Sequence, residues 1–364
     1  MEPKLVIAGY FGCGNLGDDA ILAGFLEGIA GLPVRPMALS GHPERTRRTF
    51  SIGSVHRMNL AAVRESLSGA EALVFAGGSI FQDVTSIRSV YYYAKLVSLG
   101  KSLTGRVILL GQGFGPVRTW LGRRFVRGAL SQVDAIAVRD EESGRLATSL
   151  GAKCEVRLTA DMAWLAKPEA GGDGSFGIGD QGAVGLVPRL WRNTREVAAA
   201  FGGLSRHLSN QGKLPLLIPF EECDEKMASQ MTALGHPSPT IVKGIRAPGA
   251  LMARMERLQG VVTMRYHGAL FAARAGIAPL LVSYDPKVAA LAGVLGLPKS
   301  VPVEGLTADR LIAAWDEHER NHAALETNLL QKRQTLSEKA LENIALLKRY
   351  VPSLKGENVP TKLP

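Results

Sequence analysis

The 364-residue chain carries 43 Lys and Arg against 33 Asp and Glu, a formal net charge of +10, and 46% of its residues are hydrophobic. That length allows two domains, each with its own core, and the charge favours anionic partners: phosphorylated metabolites, an anionic membrane surface or nucleic acid. Cys13, Cys154 and Cys223 are widely spaced with no C-x-x-C pair, which argues against a disulfide framework or a structural zinc site and for a reducing compartment. The start "MEPKLVIAGY" is too short for a signal-peptide core, and no run of about 18 apolar residues occurs, so a soluble cytoplasmic protein is expected. The basic residues are dispersed and form no recognised binding module, so nucleic acid is not an expected partner.

Apolar runs of strand length at 4–9, 34–39, 72–76, 106–110, 134–138 and 155–158 alternate with helical patterns, which predicts parallel β-α-β units. The Gly- and Asp-rich stretch "KPEAGGDGSFGIGDQG" at 167–182 interrupts the alternation and reads as a linker. Strand runs resume at 183–188, 214–218, 239–243, 260–264 and 279–283. The expected α/β fold is two doubly wound Rossmann-like domains, 1–166 and 183–320, facing across a cleft, with ligands beyond the carboxyl ends of the strands. Residues 321–350 read as a closing helix, with Leu325, Leu329, Leu336, Ile344 and Leu347 near helical spacing, and 351–364 as a polar, frayed tail.

"GYFGCGNLGDDAIL" at 9–22 places Gly12, Gly14 and Gly17 at G-x-G-x-x-G spacing. A dinucleotide site would need an acidic residue about 20 positions on, and that place reads Leu39, Ser40, Gly41 and His42. Asp18 and Asp19 also follow the last glycine, where two carboxylates would repel a pyrophosphate. Both suit a helix N-terminus; alternatively they bind sugar hydroxyls or hold a proton, with Gly14 and Asn15 beside them at a close backbone approach.

Other strand ends carry further polar residues. "AGGSIFQDVTSIRSVYYY" gathers Gln82, Asp83, Thr85, Ser86, Arg88 and Ser89, which form either a structural network or the lining of a pocket for a hydroxyl-rich ligand; Tyr91, Tyr92 and Tyr93 serve as a stacking face or as core. Gln112 is expected just after a strand, Arg139 at a strand end with an ion pair as its bland alternative, and Asp161 past the last strand of this half. In the second half "GVVTMRYHGALF" sets Arg265 and His267 between a strand and a helix. Lys287 opens the next helix against its dipole, and Arg189 is a further cation at a strand end. Such cations and one histidine at successive strand ends describe a site for a small anion carrying carboxylate and phosphate. With no H-E-x-x-H, clustered ligand set or P-loop in the sequence, neither metal nor ATP is expected.

At these residues the sequence resembles the polysaccharide pyruvyl transferase family, and within it the CsaB type. The matching stretches are "GYFGCGNLGDDAIL", "FAGGSIFQDVTSIRS", "GQGFGPV", "VRDEESGRLATSLG", "LTADMAWL", "MRYHGALFAARAG" and "YDPKVAALAGVLGLP", in consistent order from residue 9 to about 298. The resemblance implies a GT-B-like fold and transfer of pyruvate from phosphoenolpyruvate to a sugar as a ketal, with no resident cofactor. The implied acceptor is the β-ManNAc of a lipid-diphosphate-linked ManNAc–GlcNAc cell-wall precursor, modified at its 4- and 6-hydroxyls, in secondary cell-wall polymer biogenesis and S-layer anchoring. Family functional positions map onto Arg139, Arg265, His267 and Lys287; for the reaction so implied, His267 is the expected general acid, and Arg139, Arg265 and Lys287 are the expected donor-binding residues. Asp18, with Asp83 second, is the expected proton acceptor, and Gly14, Asn15, Gln82, Asp83, Arg88 and Gln112 the expected acceptor contacts. Peripheral contact with the inner membrane leaflet would give the positive charge a purpose. A nucleotide-sugar glycosyltransferase on the same architecture and a non-catalytic sugar-binding relative remain the alternatives.

Overall fold

A computed structural model describes residues 2–84, 86–170, 182–192 and 194–354. The chain divides into two units, Met1–Ala166 with Leu336–Pro364, and Lys167–Thr335.

The first unit runs β1 (Lys4–Ala8), α1 (Leu16–Gly28), β2 (Arg35–Ser40), α2 (Pro43–Phe50), β3 (Gly53–His56), α3 (Leu60–Leu67), β4 (Ala72–Phe75), β5 (Gly78–Phe81), α4 (Ile87–Thr104), β6 (Val107–Phe114), α5 (Trp120–Leu130), β7 (Ala135–Val138), α6 (Glu141–Ser149) and β8 (Val156–Leu158). Its parallel sheet has the order β3-β2-β1-β4-β6-β7-β8, with β5 beside β6. Strands buried on both faces read as continuous apolar runs, and "KLVIA", "ALVF" and "AIAV" do so. β6 is long enough to pair first with β4, through Leu73 opposite Val107, and then with β5, through Gly78 opposite Gln112. The chain breaks between β4 and β5 at Gly77 and Gly78, whose φ values of 132° and 85° only glycine adopts readily. Helices start where a polar side chain caps them: Asn15 for α1, Ser86 for α4, Thr119 for α5 and Asp140 for α6.

The second unit runs β9 (Ala183–Val187), α7 (Thr194–Asn210), β10 (Leu214–Leu217), α8 (Lys226–Ala233), β11 (Thr240–Ile241), α9 (Pro248–Met255), β12 (Gly260–Thr263), α10 (Tyr266–Arg274), β13 (Pro279–Ser283), α11 (Pro286–Leu295), β14 (Val301–Pro302), α12 (Ala308–Arg320) and α13 (His322–Tyr350). Its parallel sheet has the order β11-β10-β9-β12-β13-β14 around a core that includes Val184, Phe201, Leu217, Val262 and Trp315. Of the expected linker, Glu169 bonds through its backbone N–H to the Gly249 carbonyl at 3.0 Å within this unit, and 171–181 lie outside the described residues.

Each of the eleven strand runs read from the sequence becomes a strand, and β3, β5 and β14 are additional. β3 ("GSVH") holds a single large apolar residue, β5 ("GSIF") follows a glycine pair that reads as a turn, and β14 has two residues. β6 continues to Phe114, so Gln112 lies inside a strand rather than after one.

The division between the units falls within α13, after Thr335. Leu336, Ile344 and Leu347 on its second half are buried, and Asn343 is fully buried there. The Asn343 amide donates to the Ala160 and Ala340 carbonyls, and its oxygen accepts from the Gly111 N–H at 2.8 Å and the Thr159 hydroxyl at 2.9 Å. Of the expected tail, Val351 and Leu354 are buried and the Ser353 hydroxyl donates to Glu71, whereas 355–364 lie outside the described residues. Asn343→Leu keeps the volume but strands the Gly111 N–H and the Ala160 carbonyl, and should cost about 2–4 kcal/mol, read as a lower urea midpoint of the first unit. An unchanged midpoint would show that α13 is held by apolar packing alone.

Candidate active site

In a doubly wound sheet, ligands bind where neighbouring strands send their following loops to opposite faces. In the first unit the order places that point between β1 and β4, and in the second between β9 and β12. The residues after these four strands are therefore the ones to inspect.

After β1 the glycine loop turns into α1. The Asn15 side chain caps the helix, accepting from the Gly17 N–H at 2.9 Å and the Asp18 N–H at 3.4 Å. Asp19 turns inward and accepts from the Gly12 N–H at 2.7 Å, which fixes the loop from below. Burial pushes the Asp19 carboxyl up to about 6, against the opposing effects of the Gly12 bond and Arg45. Asp18 is half-buried at the switch point itself: a Cβ at Gly78 would lie 3.2 Å from its Oδ1. Glycine after β4 therefore gives this carboxylate its room.

Arg139, just after β7, joins the start of β5 to the loop after β8. Arg139 Nη1 pairs with the fully buried Asp161 at 2.6 Å, Nη2 donates to Ser79 Oγ at 2.9 Å, and Asp140 lies 3.7 Å from Nε. A Cβ at Gly113 would sit 2.6 Å from Ser79 Oγ and 3.0 Å from the guanidinium, which explains the glycine beside Gln112. Arg139 is thus no open cation; its charge is spent on a buried partner. Gln112, expected among acceptor contacts after a strand, is instead fully buried within β6, its amide donating to the Gly78 and Gly113 carbonyls.

The polar stretch after β5 divides. Asp83 accepts from the Arg118 and Thr119 N–H groups at 2.8 and 2.7 Å and from the Thr119 hydroxyl at 2.6 Å, so it builds the turn into α5. Burial raises its pKa, but these bonds outweigh that and hold it below the usual carboxylate range. Gln82 accepts from the Val84 N–H, Ser86 caps α4, Arg88 is exposed, and Thr85 lies outside the described residues. Of the three tyrosines, the buried Tyr93 donates to the Gly9 carbonyl and Tyr92 to the Arg57 carbonyl, while Tyr91 is exposed.

Nothing in the sequence singles out Arg57. Its guanidinium lies over the rings of Tyr92, Tyr93 and Tyr10, at 4.8, 5.2 and 5.3 Å, and one nitrogen reaches Cys13 Sγ at 3.8 Å. It stands at the end of β3, a strand too short to announce itself.

In the second unit, Arg265 and His267 follow β12 directly. Arg265 is the N-cap of α10, which has no side-chain cap, and His267 is the helix's second residue and half-buried. Arg265 pairs with Glu221 at 3.0 Å and with the buried Asp224 at 2.5 Å. Burial alone would lower the Arg265 pKa, but Asp224 and Glu221 overcome it and hold it above its ordinary value. Asp224 also accepts from the Phe220 and Glu221 N–H groups. After β9, Arg189 meets the Tyr284 hydroxyl and lies over the Trp191 and Tyr284 rings. Lys287 is half-buried in the first turn of α11, where Asp285 caps its N–H at 2.8 Å. The four residues after β9, β12 and β13 are thus gathered at one end of one sheet.

Glu221, Cys223 and Asp224 offer ligand atoms within 4.8 Å of one another. The Arg265 guanidinium already bonds both carboxylates, so a metal there would have to displace a cation held by two ion pairs.

The raised Asp19 pKa sets a pH dependence. The native state binds this proton more tightly than the unfolded chain, so its contribution to stability falls as pH rises from about 4 to about 6, by about 2–3 kcal/mol. The stability difference between wild type and Asp19→Asn should change across that window, followed by urea unfolding, and a pH-independent difference would show that folding leaves the Asp19 pKa unchanged.

The fold is shared with sugar-nucleotide enzymes. Over 100% of both chains, S. aureus MnaA in complex with UDP superposes with a TM-score of 0.66 at 10% identity. UDP-GlcNAc 2-epimerase from Neisseria meningitidis, bound to UDP-GlcNAc, gives 0.60 at 9% identity over 96% of this chain and 100% of that one. Anabaena Alr3699/HepE with UDP-glucose gives 0.61 at 12% identity over 96% and 99%. At such identities the likeness establishes a GT-B-like α/β fold of two parallel-sheet domains and nothing about substrates. No curated protein sequence matches the chain significantly. The model of one family, polysaccharide pyruvyl transferase, matches residues 15–286, from the cap of α1 to the start of α11, and the chain belongs to that family.

Proposed function

We propose that the protein transfers pyruvate from phosphoenolpyruvate to a sugar, closing a 4,6-linked ketal and releasing phosphate, with the β-ManNAc of a lipid-diphosphate-linked disaccharide as acceptor. The reading rests on family membership together with one observation: Arg265 and His267 stand at the switch point of the second sheet, on a helix N-terminus without a side-chain cap. A helix N-terminus suits the carboxylate and phosphate of a small anion, and Glu221 and Asp224 hold the Arg265 guanidinium beside it. Lys287 and Arg189 supply further positive charge at the same sheet end. Arg139 was the third donor-binding cation expected; its pairing with Asp161 favours a role in holding the first unit's strand ends instead.

The enol phosphate of phosphoenolpyruvate is electron-rich at its methylene carbon. Proton transfer from His267 to that carbon leaves an oxocarbenium-like centre at the neighbouring carbon, and one sugar hydroxyl attacks it. The hydroxyl proton passes to a carboxylate, for which Asp18 is better suited than Asp83, whose oxygens are committed to the α5 turn. The carbon–oxygen bond to phosphate then breaks, the second hydroxyl adds to the same carbon to close the ketal, and its proton passes to His267, restoring the acid. Positive charge around the departing phosphate stabilises that step. No step calls on a metal or a resident cofactor. The enzyme would work in the cytoplasm on a cell-wall polymer precursor.

Incubation with phosphoenolpyruvate and a synthetic lipid-diphosphate disaccharide should release phosphate and add a ketal-bound pyruvate to the acceptor's mass. His267→Gln should lower that rate by about 10²–10⁴ while phosphoenolpyruvate binding, followed by calorimetry, stays near the wild-type value. Near-normal turnover would remove His267 as the acid, and release of UDP from a sugar nucleotide without need of phosphoenolpyruvate would instead support the glycosyltransferase reading.

A further inference from the structure

Between Asp83 and Asp134 the chain has eight Lys and Arg and no Asp or Glu in 50 residues, so most of the net charge of +10 arises in one stretch. That stretch folds into α4, β6 and α5, and α4 packs against α5. β6 is buried, and six of the eight basic residues lie on the two helices. Arg123, Arg124 and Arg127 on α5 and Lys95 on α4 are exposed, and Lys153 after α6 joins them around an open groove of about 810 Å³. Among the described residues the three arginines and Lys153 enter no ion pair.

The same surface exposes large apolar side chains. Trp120, the first residue of α5, is 75% exposed, and Leu121 beside it 41%. Tyr91 on α4 is 47% exposed and sets its ring edge-on against Phe125 at 5.2 Å. Trp120 and Leu121 have no role in phosphate binding, and a purely electrostatic surface would not need them. Cations flanking an exposed Trp and Leu are what a bilayer interface selects: the rings enter the headgroup level and the basic side chains meet lipid phosphates.

We propose that the α4–α5 face of the first unit docks on an anionic phospholipid bilayer, Trp120 and Leu121 entering the headgroup layer and Arg123, Arg124 and Arg127 contacting its phosphates. This inference names a surface for membrane contact and does not rest on the proposed reaction; its test uses neither substrate.

The full chain is pelleted with vesicles of phosphatidylcholine alone or with added phosphatidylglycerol. Binding should require phosphatidylglycerol and weaken as salt is raised from about 0.05 to about 0.5 M. The triple change Arg123→Gln, Arg124→Gln and Arg127→Gln should reduce it about 100-fold, at about fivefold per arginine. Trp120→Ser should weaken binding about 10-fold while leaving the salt dependence in place. All three arginines and Trp120 are exposed, and urea midpoints equal to wild type confirm that the variants are folded. Equal binding to both vesicle types, undiminished binding by the triple variant, or tighter binding to a single-stranded oligonucleotide than to phosphatidylglycerol vesicles would each overturn the proposal.

Discussion

A guanidinium buried at the end of a strand must find a carboxylate, because leaving it unpaired costs more than most single interactions return. Both units are built around such a pair: Arg139 with Asp161 in the first, and Arg265 with Glu221 and Asp224 in the second. Each pair ties the end of one strand to the loop after another, β7 to β8 and β12 to β10. The strand ends are thereby fixed before any ligand arrives. That rigidity is what a site for a small, multiply charged anion requires, since each donor must already point where charge will sit.

The pairing also sorts the cations. Arg139 has its charge committed to Asp161 and Ser79, so its weight falls on holding the first unit's rim. Arg265 is equally committed through both terminal nitrogens, yet it caps no N–H of α10, and the helix start beside it stays without a side-chain cap. In the first unit the comparable helix start is closed by Asn15, with Asp18 and Asp19 in the first turn, an arrangement hostile to phosphate and suited to hydroxyl groups. After β1 the first sheet thus presents carboxylates, whereas after β12 the second presents a guanidinium already balanced by Glu221 and Asp224, with positive charge supplied from the neighbouring strand ends by Arg189 and Lys287.

Much of the fold was legible in the sequence because fully buried parallel strands leave continuous apolar runs, and all eleven such runs became strands. β3, β5 and β14 escaped because they are short or glycine-led, and with β3 went Arg57, whose tyrosine surroundings depend on residues far apart in the chain. Asp18, Arg139, Arg265, His267 and Lys287 were legible as residues at strand ends or helix starts. Their partners were not: nothing in "FEECDEK" singles out Glu221 and Asp224, and Asp161 stands in the sequence only as a residue past a strand. Gln112 and Asp83 bond the backbone here, which a polar residue near a strand end can do as readily as bind a ligand, and the sequence does not separate the two uses. The basic face escaped because cations counted along the chain look dispersed; the signal lies in where carboxylates are missing.

The central claim is that the carbon skeleton of phosphoenolpyruvate becomes a ketal on the sugar after protonation of its methylene carbon. Carbon-13 NMR of a reaction run in deuterated water, with phosphoenolpyruvate labelled at the phosphate-bearing carbon, tests it in one spectrum series. The account predicts that the label moves to a quaternary ketal carbon and that a deuteron appears in the adjoining methyl group as phosphate is released. Label that stays in an enolpyruvyl group on the sugar, or a methyl group without solvent deuterium, would contradict it.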